Sequence, residues 1–266
     1  MRNLCFFLLL CFSVLSCSEK EDDVQPKPQL NSYRLLYMDY GVSGSMFSPT
    51  NPLNLIKLEY GSDGKVLKRW NGLIPVNPNS GFGTMFFDGL YDEVVYQNNQ
   101  IVITKMDTLK NLNVHPDRKI ITMEYGKMVR FIRETMWYNL TYDTTWLYYN
   151  HETLFRTVTK NSSTILTKDY FFDNAGNLSE IKGLAIGRYW NDTAYFQTEK
   201  FSDYDAAPNP VKELGIFDET FNRSLSTNNY RRYTFQRFNR DSTLAADQYR
   251  NWTFVYDSNG NVKFDE

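Results

Sequence analysis

The stretch Tyr170-Phe171-Phe172-Asp173-Asn174-Ala175-Gly176-Asn177-Leu178-Ser179-Glu180-Ile181-Lys182-Gly183 decides the fold. An aromatic run ends at Asp173, a turn cluster follows at Asn174, Gly176 and Asn177, and apolar–polar alternation restarts at Leu178 and Ile181. Asn and Gly supply the positive φ that a hairpin needs, and aromatic side chains suit a pleated, half-buried surface. The reading is strand, tight turn, strand.

Working outward, the same grammar recurs. Residues 53–60 and 65–70 flank Asp63-Gly64, residues 90–96 and 100–106 flank Gln97-Asn98-Asn99, and residues 119–125 and 127–133 flank Gly126. A further pair, 135–142 and 146–150, is expected around Asp143-Thr144-Thr145. Residues 32–40 are expected as the first strand and 71–83 as an irregular excursion. Segments 154–160, 164–172, 178–184, 194–204, 230–239, 251–256 and 262–264 bring the total to about sixteen strands. Trp252, Phe254 and Tyr256 are expected to share one face, with Thr253 and Val255 on the other. Helix is expected only in a turn after Pro210 and at 244–250, with Ser242 as its cap.

The expected fold class is all-β, an antiparallel meander of consecutive hairpins with little helix. So many strands cannot remain flat, so the meander should form one curled sheet or two packed layers. Residues 32–266 read as a single domain, with 71–83 and 205–229 as the places where a boundary would fall.

Residues 1–16 read as a targeting segment. Arg2 gives a positive start, and residues 4–14 are apolar apart from Ser13. That core is too short to span a bilayer and suits a signal peptide. Val14-Leu15-Ser16-Cys17 resembles the lipobox of bacterial lipoproteins, which implies lipid attachment at Cys17. The alternative is an ordinary secretory signal that contains Cys17 by chance. Cys5 and Cys11 would leave with the signal, so the body is expected to rest on its core without a disulfide.

Residues 17–31 are expected to be a flexible acidic tether, charged and interrupted by Pro26 and Pro28. Its cluster Glu19, Glu21, Asp22 and Asp23 is similar to the surface-export signal of lipoproteins from Bacteroidota. That resemblance implies a lipid-anchored outer-membrane protein facing the cell exterior. A plain linker on a periplasm-facing lipoprotein is the alternative.

The hairpins themselves resemble YD repeats, the Tyr-x-Tyr-Asp-x-x-Gly-Asn/Arg-Leu unit of RHS-type proteins. Two copies stand at 170–178 and 254–262, and a weaker one at 58–66. The Pro208-Asn209-Pro210 segment is similar to one in YD-repeat-like surface lipoproteins of Bacteroidota. The copies are degenerate and lack a fixed period. The resemblance therefore implies the fold and offers almost no function.

Composition and motifs exclude more chemistry than they suggest. The formal net charge is −2 and no basic run stands out beyond Arg231-Arg232, so no nucleic-acid partner is expected. His115 and His151 are the only histidines, far apart and without cysteine partners, so no metal and no cofactor are expected. No Gly-x-Ser-x-Gly elbow occurs, and Gly81-Phe82-Gly83 opens no helix that could hold phosphate. Asp257, Asn259 and Asn261 have alternate spacing but read as a hairpin turn, and Asp203 and Asp205 read as a solvated loop. No catalytic residue can be assigned.

Aromatic doublets remain. Adjacent strand residues face opposite ways, so one member of each doublet can sit outside the core. Trp137, Tyr138, Trp146, Tyr149 and Trp190 are therefore candidate ligand-binding residues, with cross-strand packing as the alternative. The expected function is non-catalytic binding at the cell surface, to a glycan or a protein partner, by a monomeric or weakly associating lipoprotein. A polysaccharide hydrolase with unidentified carboxylates, or a structural accessory of an outer-membrane complex, are the other readings.

Overall fold

The computed structural model describes residues 29–38, 54–75, 84–108, 117–136, 140–189 and 191–266. The signal segment, Cys17, His115, Trp137, Tyr138 and Trp190 lie outside the described residues.

The first half of the meander comprises β1 (Ser32–Arg34), β2 (Leu55–Tyr60), β3 (Val66–Pro75), β4 (Thr84–Gln97), β5 (Gln100–Asp107), β6 (Arg118–Glu124) and β7 (Lys127–Met136). The second half comprises β8 (Leu140–Asn150), β9 (Thr153–Lys160), β10 (Thr164–Phe172), β11 (Leu178–Gly187), β12 (Asp192–Tyr204), β13 (Tyr230–Asn239) and β14 (Leu244–Asn251). These fourteen form one antiparallel sheet in strict chain order, and the sheet is not closed. A separate hairpin, β15 (Val255–Tyr256) with β16 (Val262–Lys263), ends the chain. The all-β hairpin meander is thus observed, as one curled sheet: a single hydrophobic cluster draws buried residues from every strand from β1 to β13, with Ala246 of β14 packed against it.

The first and last parts of the chain meet at the seam. The Arg34 amide donates to the Phe264 carbonyl at 2.7 Å, Trp252 Nε1 to the Leu36 carbonyl at 2.7 Å, and the Tyr37 hydroxyl to the Glu266 carbonyl at 2.6 Å. Rings of Tyr37, Phe254 and Phe264 pack edge-on at 5.2–5.9 Å. The terminal hairpin latches the two margins of the curl without completing its ladder.

The deciding hairpin has the expected turn, and its copy repeats it atom for atom. Asp173 Oδ1 accepts the Ala175 and Asn177 amides, each at 2.9 Å, while Asp257 Oδ1 accepts the Asn259 and Asn261 amides, each at 2.8 Å. Gly176 and Gly260 close the turns at φ 79° and 80°. Asp occupies the corner because its carboxylate satisfies amides that leave the ladder there.

The 205–229 segment between β12 and β13 is filled rather than open. Buried Asn209, held between two prolines, accepts the Val211 amide at 3.0 Å and donates to the carbonyls of Arg223 and Ser226 at 2.7 and 2.9 Å. A 3-10 turn at Lys212–Leu214 and the short helix α1 (Asp218–Ser224) follow, and Val211, Leu214 and Phe217 join the sheet's core. This insertion is what the curled sheet wraps around.

Several local expectations are corrected. Residues 244–250 are strand, not helix: β14 pairs along β13, and Ser242 sits in the preceding turn at φ 65°. The ladder outweighs the helix propensity of Ala245, Ala246 and Gln248. Asp143-Thr144-Thr145 is no turn but the middle of β8, where Thr145 faces inward and its hydroxyl lies 2.9 Å from that of Thr159. The first strand stops at Arg34 and tightens into a 3-10 turn at Leu35–Tyr37. Residues 71–75 continue β3 past a bulge, with Asn71 at φ 72°. In place of one strand over 251–256, β14 ends at Asn251 and pairing resumes only at Val255–Tyr256; Trp252 and Phe254 are buried, and Tyr256 is exposed.

Candidate functional site

Two sets of charged side chains point into the curl. In the first, Arg69 of β3 stands opposite Asp92 of β4, and Lys119 of β6 opposite Arg133 of β7. The first pairing is favourable; two cations facing each other across a ladder are not. The insertion resolves the conflict. Asp218, in the first turn of α1, accepts Lys119 Nζ at 2.8 Å and Arg133 Nη2 at 2.5 Å. Its neighbour Glu219 pairs with Arg69 and accepts the Tyr33 hydroxyl at 2.9 Å, while Arg69 Nε reaches Asp92 at 2.8 Å. A recess of about 230 Å³ opens beside this network, bordered further by Lys105 and Asp117.

The electrostatics follow the geometry. Burial works to raise the Asp218 pKa, but Lys119 and Arg133 outweigh it and hold the carboxyl well below its ordinary range. Burial depresses the Lys119 ammonium despite Asp218. Burial likewise keeps the Tyr33 phenol well above its usual value. A carboxyl held ionised by two cations cannot act as a general acid near neutral pH.

The second set lies across β10, β12 and β13. Glu199, 5% exposed, accepts Lys168 Nζ at 2.7 Å, Gln197 Nε2 at 3.1 Å and the Tyr233 hydroxyl at 2.9 Å. Burial opposes the Lys168 charge, yet Glu199 outweighs it and leaves the ammonium above its ordinary pKa. Gly183 leaves the space that Gln197 fills: a Cβ there would stand 2.5 Å from Gln197 Cγ.

A larger recess, about 820 Å³, opens between the turns after β2 and β4 and the insertion. Tyr60, the last residue of β2, and Tyr96, the last but one of β4, stand in its wall, and Val66, Ile101 and Leu214 contribute apolar surface. Gln97, Asn98 and Gln100 line it at the β4–β5 turn.

The sequence-derived candidates do not converge in the described residues. Trp146 stands between inward-facing Thr145 and Leu147 and so faces outward, half-buried; Tyr149 packs against the core with its hydroxyl on the Met128 carbonyl at 2.9 Å. His151 occupies the β8–β9 turn at φ 50°. Asp203 pairs with Arg231 at 2.7 Å, and Asp205 accepts Asn229 and the Tyr256 hydroxyl. The charged networks and the tyrosine recess were missed. The one signal for the recess was that Tyr60 and Tyr96 each stand as the last aromatic before a turn cluster.

No protein-family model and no curated protein matches the chain. Among solved structures, a porin-like protein from Bacteroides vulgatus ATCC 8482 is similar at a TM-score of 0.50 and 15% identity, over 78% of this chain and 84% of that one. A porin-like protein from Bacteroides uniformis ATCC 8492 aligns at a TM-score of 0.47 and 11% identity, over 78% and 80%. At such identity the first of these is a likeness of fold alone, that of an all-β antiparallel meander.

Proposed function

We propose that the chain is a surface lipoprotein, anchored to the outer membrane through Cys17, whose β body binds and does not catalyse. The observation that carries the reading is the state of the carboxylates in the two charged networks. Asp92, Asp218, Glu219 and Glu199 each receive a cation, and none is left as one half of an acid–base pair. Glycoside hydrolysis needs two carboxyls with separated protonation states facing a substrate.

The outer face supports a body held beside the bilayer by its lipid. Glu93, Arg130 and Lys182 each adjoin an inward-facing buried residue in mid-strand and so point outward. On a lipid-facing strand, Arg or Lys at the midplane costs about 2–4 kcal/mol. The shared turn geometry at Asp173 and Asp257 supports reading the hairpins as degenerate YD-repeat units.

Two measurements test this. Mass spectrometry of the mature N-terminus should find acyl chains on Cys17, and Cys17→Ser should release the protein from the membrane. The released chain should bind components of a glycan array without generating reducing ends, and the change should be read with Trp137, Trp146 and Trp190 each replaced by Ala. An unacylated Cys17, or turnover of any polysaccharide, overturns the corresponding half of the reading.

A further inference from the structure

We infer that the recess between Tyr60 and Tyr96 is a binding site for a neutral oligosaccharide. The inference rests on the non-catalytic binding role proposed above and gives it a place and a ligand class.

The recess is of ligand size. Its volume of about 820 Å³ falls within the roughly 300–1,000 Å³ of small-molecule sites, which combine apolar lining with a few placed polar groups. Sugar rings present apolar C–H faces and hydroxyl edges, so they call for aromatic faces and neutral hydrogen-bonding groups together. Both are present. Tyr60 and Tyr96 line the recess, and the side-chain amides of Gln97, Asn98 and Gln100 make no hydrogen bond among the described residues. Each amide offers an acceptor and two donors, the complement of a hydroxyl pair.

The site is also held in shape without a ligand. The Tyr60 hydroxyl donates to the Leu30 carbonyl at 2.5 Å, and both tyrosine rings pack against the core. Lys65 stands over the Tyr96 ring at 5.3 Å and pairs with Asp63 at 2.9 Å, so its charge is cancelled locally. Burial pushes both phenols up to about 12, so they stay neutral at physiological pH. Among the described residues that line it, an anionic ligand would find no cation but the paired Lys65 and would meet the Glu213 carboxylate, and a fully apolar one would strand the amides.

The test uses the whole chain carrying Cys17→Ser, so that it is secreted without lipid. It is screened on an array of neutral gluco-, manno-, galacto-, xylo- and N-acetylhexosamine oligomers, and the strongest probe is titrated calorimetrically. The double change Gln97→Ala with Gln100→Ala, exposed and half-exposed at a turn, should weaken binding by roughly tenfold through lost hydrogen bonds. Tyr96→Leu should weaken it similarly, and Tyr96→Phe should keep most of the affinity. Thermal melts confirm that each variant is folded.

Undiminished binding in the amide double variant overturns the site while leaving glycan binding in place. Loss of binding only in Trp146→Ala moves the site to the outer face and also overturns it. A folded chain that binds none of the neutral oligomers overturns the ligand class. Reducing ends released from a bound oligomer would sink the non-catalytic role but leave the recess assigned.

Discussion

The guanidinium carbon of Arg223 stands 3.9 Å from the centroid of the Tyr230 ring, with no surface exposed to solvent. Rings of Trp252, Phe254 and Phe264 complete the enclosure at 5.0, 5.6 and 5.7 Å. Nη1 donates to the Tyr230 carbonyl at 3.0 Å, while Nε and Nη2 find no acceptor among the described residues. The side chain pins α1, β13 and the terminal hairpin to one another, and among the described residues it does so without a carboxylate. Its charge is held by ring faces.

Arg223→Ala should therefore lower unfolding free energy by about 2–4 kcal/mol, the sum of desolvated cation–π contacts and a cavity. Arg223→Met keeps most of the volume and removes the buried charge, so it should recover more than half of that loss. Urea unfolding of the two variants checks this. A Met variant no more stable than the Ala variant would show that the charge, which both changes remove, carries the stabilisation rather than the filled volume.

Asp218 makes the attachment of α1 pH-dependent. Its folded pKa lies below the unfolded one, because Lys119 and Arg133 outweigh its burial. The contribution is whole above the ordinary aspartate pKa and is lost as pH falls through the depressed value. The side chain is about half exposed, so Asp218→Asn should cost only about 1 kcal/mol at pH 7 after solvent screening. The gap between wild type and variant should narrow below about pH 4. Equal gaps at pH 7 and pH 3 would contradict the assignment.

What the chain disclosed in advance was local. Asp173 to Asn177 reads as a corner because every group that makes the turn lies within five residues, and the same holds at Asp257 to Asn261. Where partners come from afar, reading fails. Ala245, Ala246 and Gln248 favour helix until β13 lies alongside them. Thr144 and Thr145 look like turn residues until Thr159 arrives across the sheet. The Lys119–Arg133 pairing is intelligible only once Asp218, 99 residues from Lys119, is placed between them. The tyrosine recess needs five separate segments, so its lining residues carry no joint pattern along the chain.

Glu199 and Lys168 supply the alkaline counterpart of Asp218. Glu199→Gln removes the anion from a nearly inaccessible pair and leaves Lys168 charged in its place, a loss of about 2–4 kcal/mol. Lys168 is raised above its unfolded pKa, since Glu199 outweighs burial. Its stabilisation is full below about pH 10.4 and fades as pH rises through the higher folded value. The difference between wild type and Lys168→Met should accordingly shrink between pH 9 and pH 12. A difference that holds constant across that span would place the stabilisation in the packing of the lysine stem.

Two glycines should respond to substitution in opposite ways, because different forces require them. Gly260 has open space where a Cβ would go but a φ of 80°, so only its backbone conformation resists a side chain. Gly260→Ala should cost about 1 kcal/mol, and Gly260→Asn less, since Asn tolerates the left-handed region. Gly183 has no such φ; its constraint is the 2.5 Å approach to Gln197 Cγ, behind which lies the hydrogen bond to Glu199. Gly183→Ala should cost about 1–3 kcal/mol by overpacking, and Gly183→Asn more, because a larger group displaces Gln197 further. Thermal melts of the four variants read the two orders directly. If Asn were the milder change at both positions, backbone conformation would govern Gly183 as well, and the packing account of the Glu199 layer would fall.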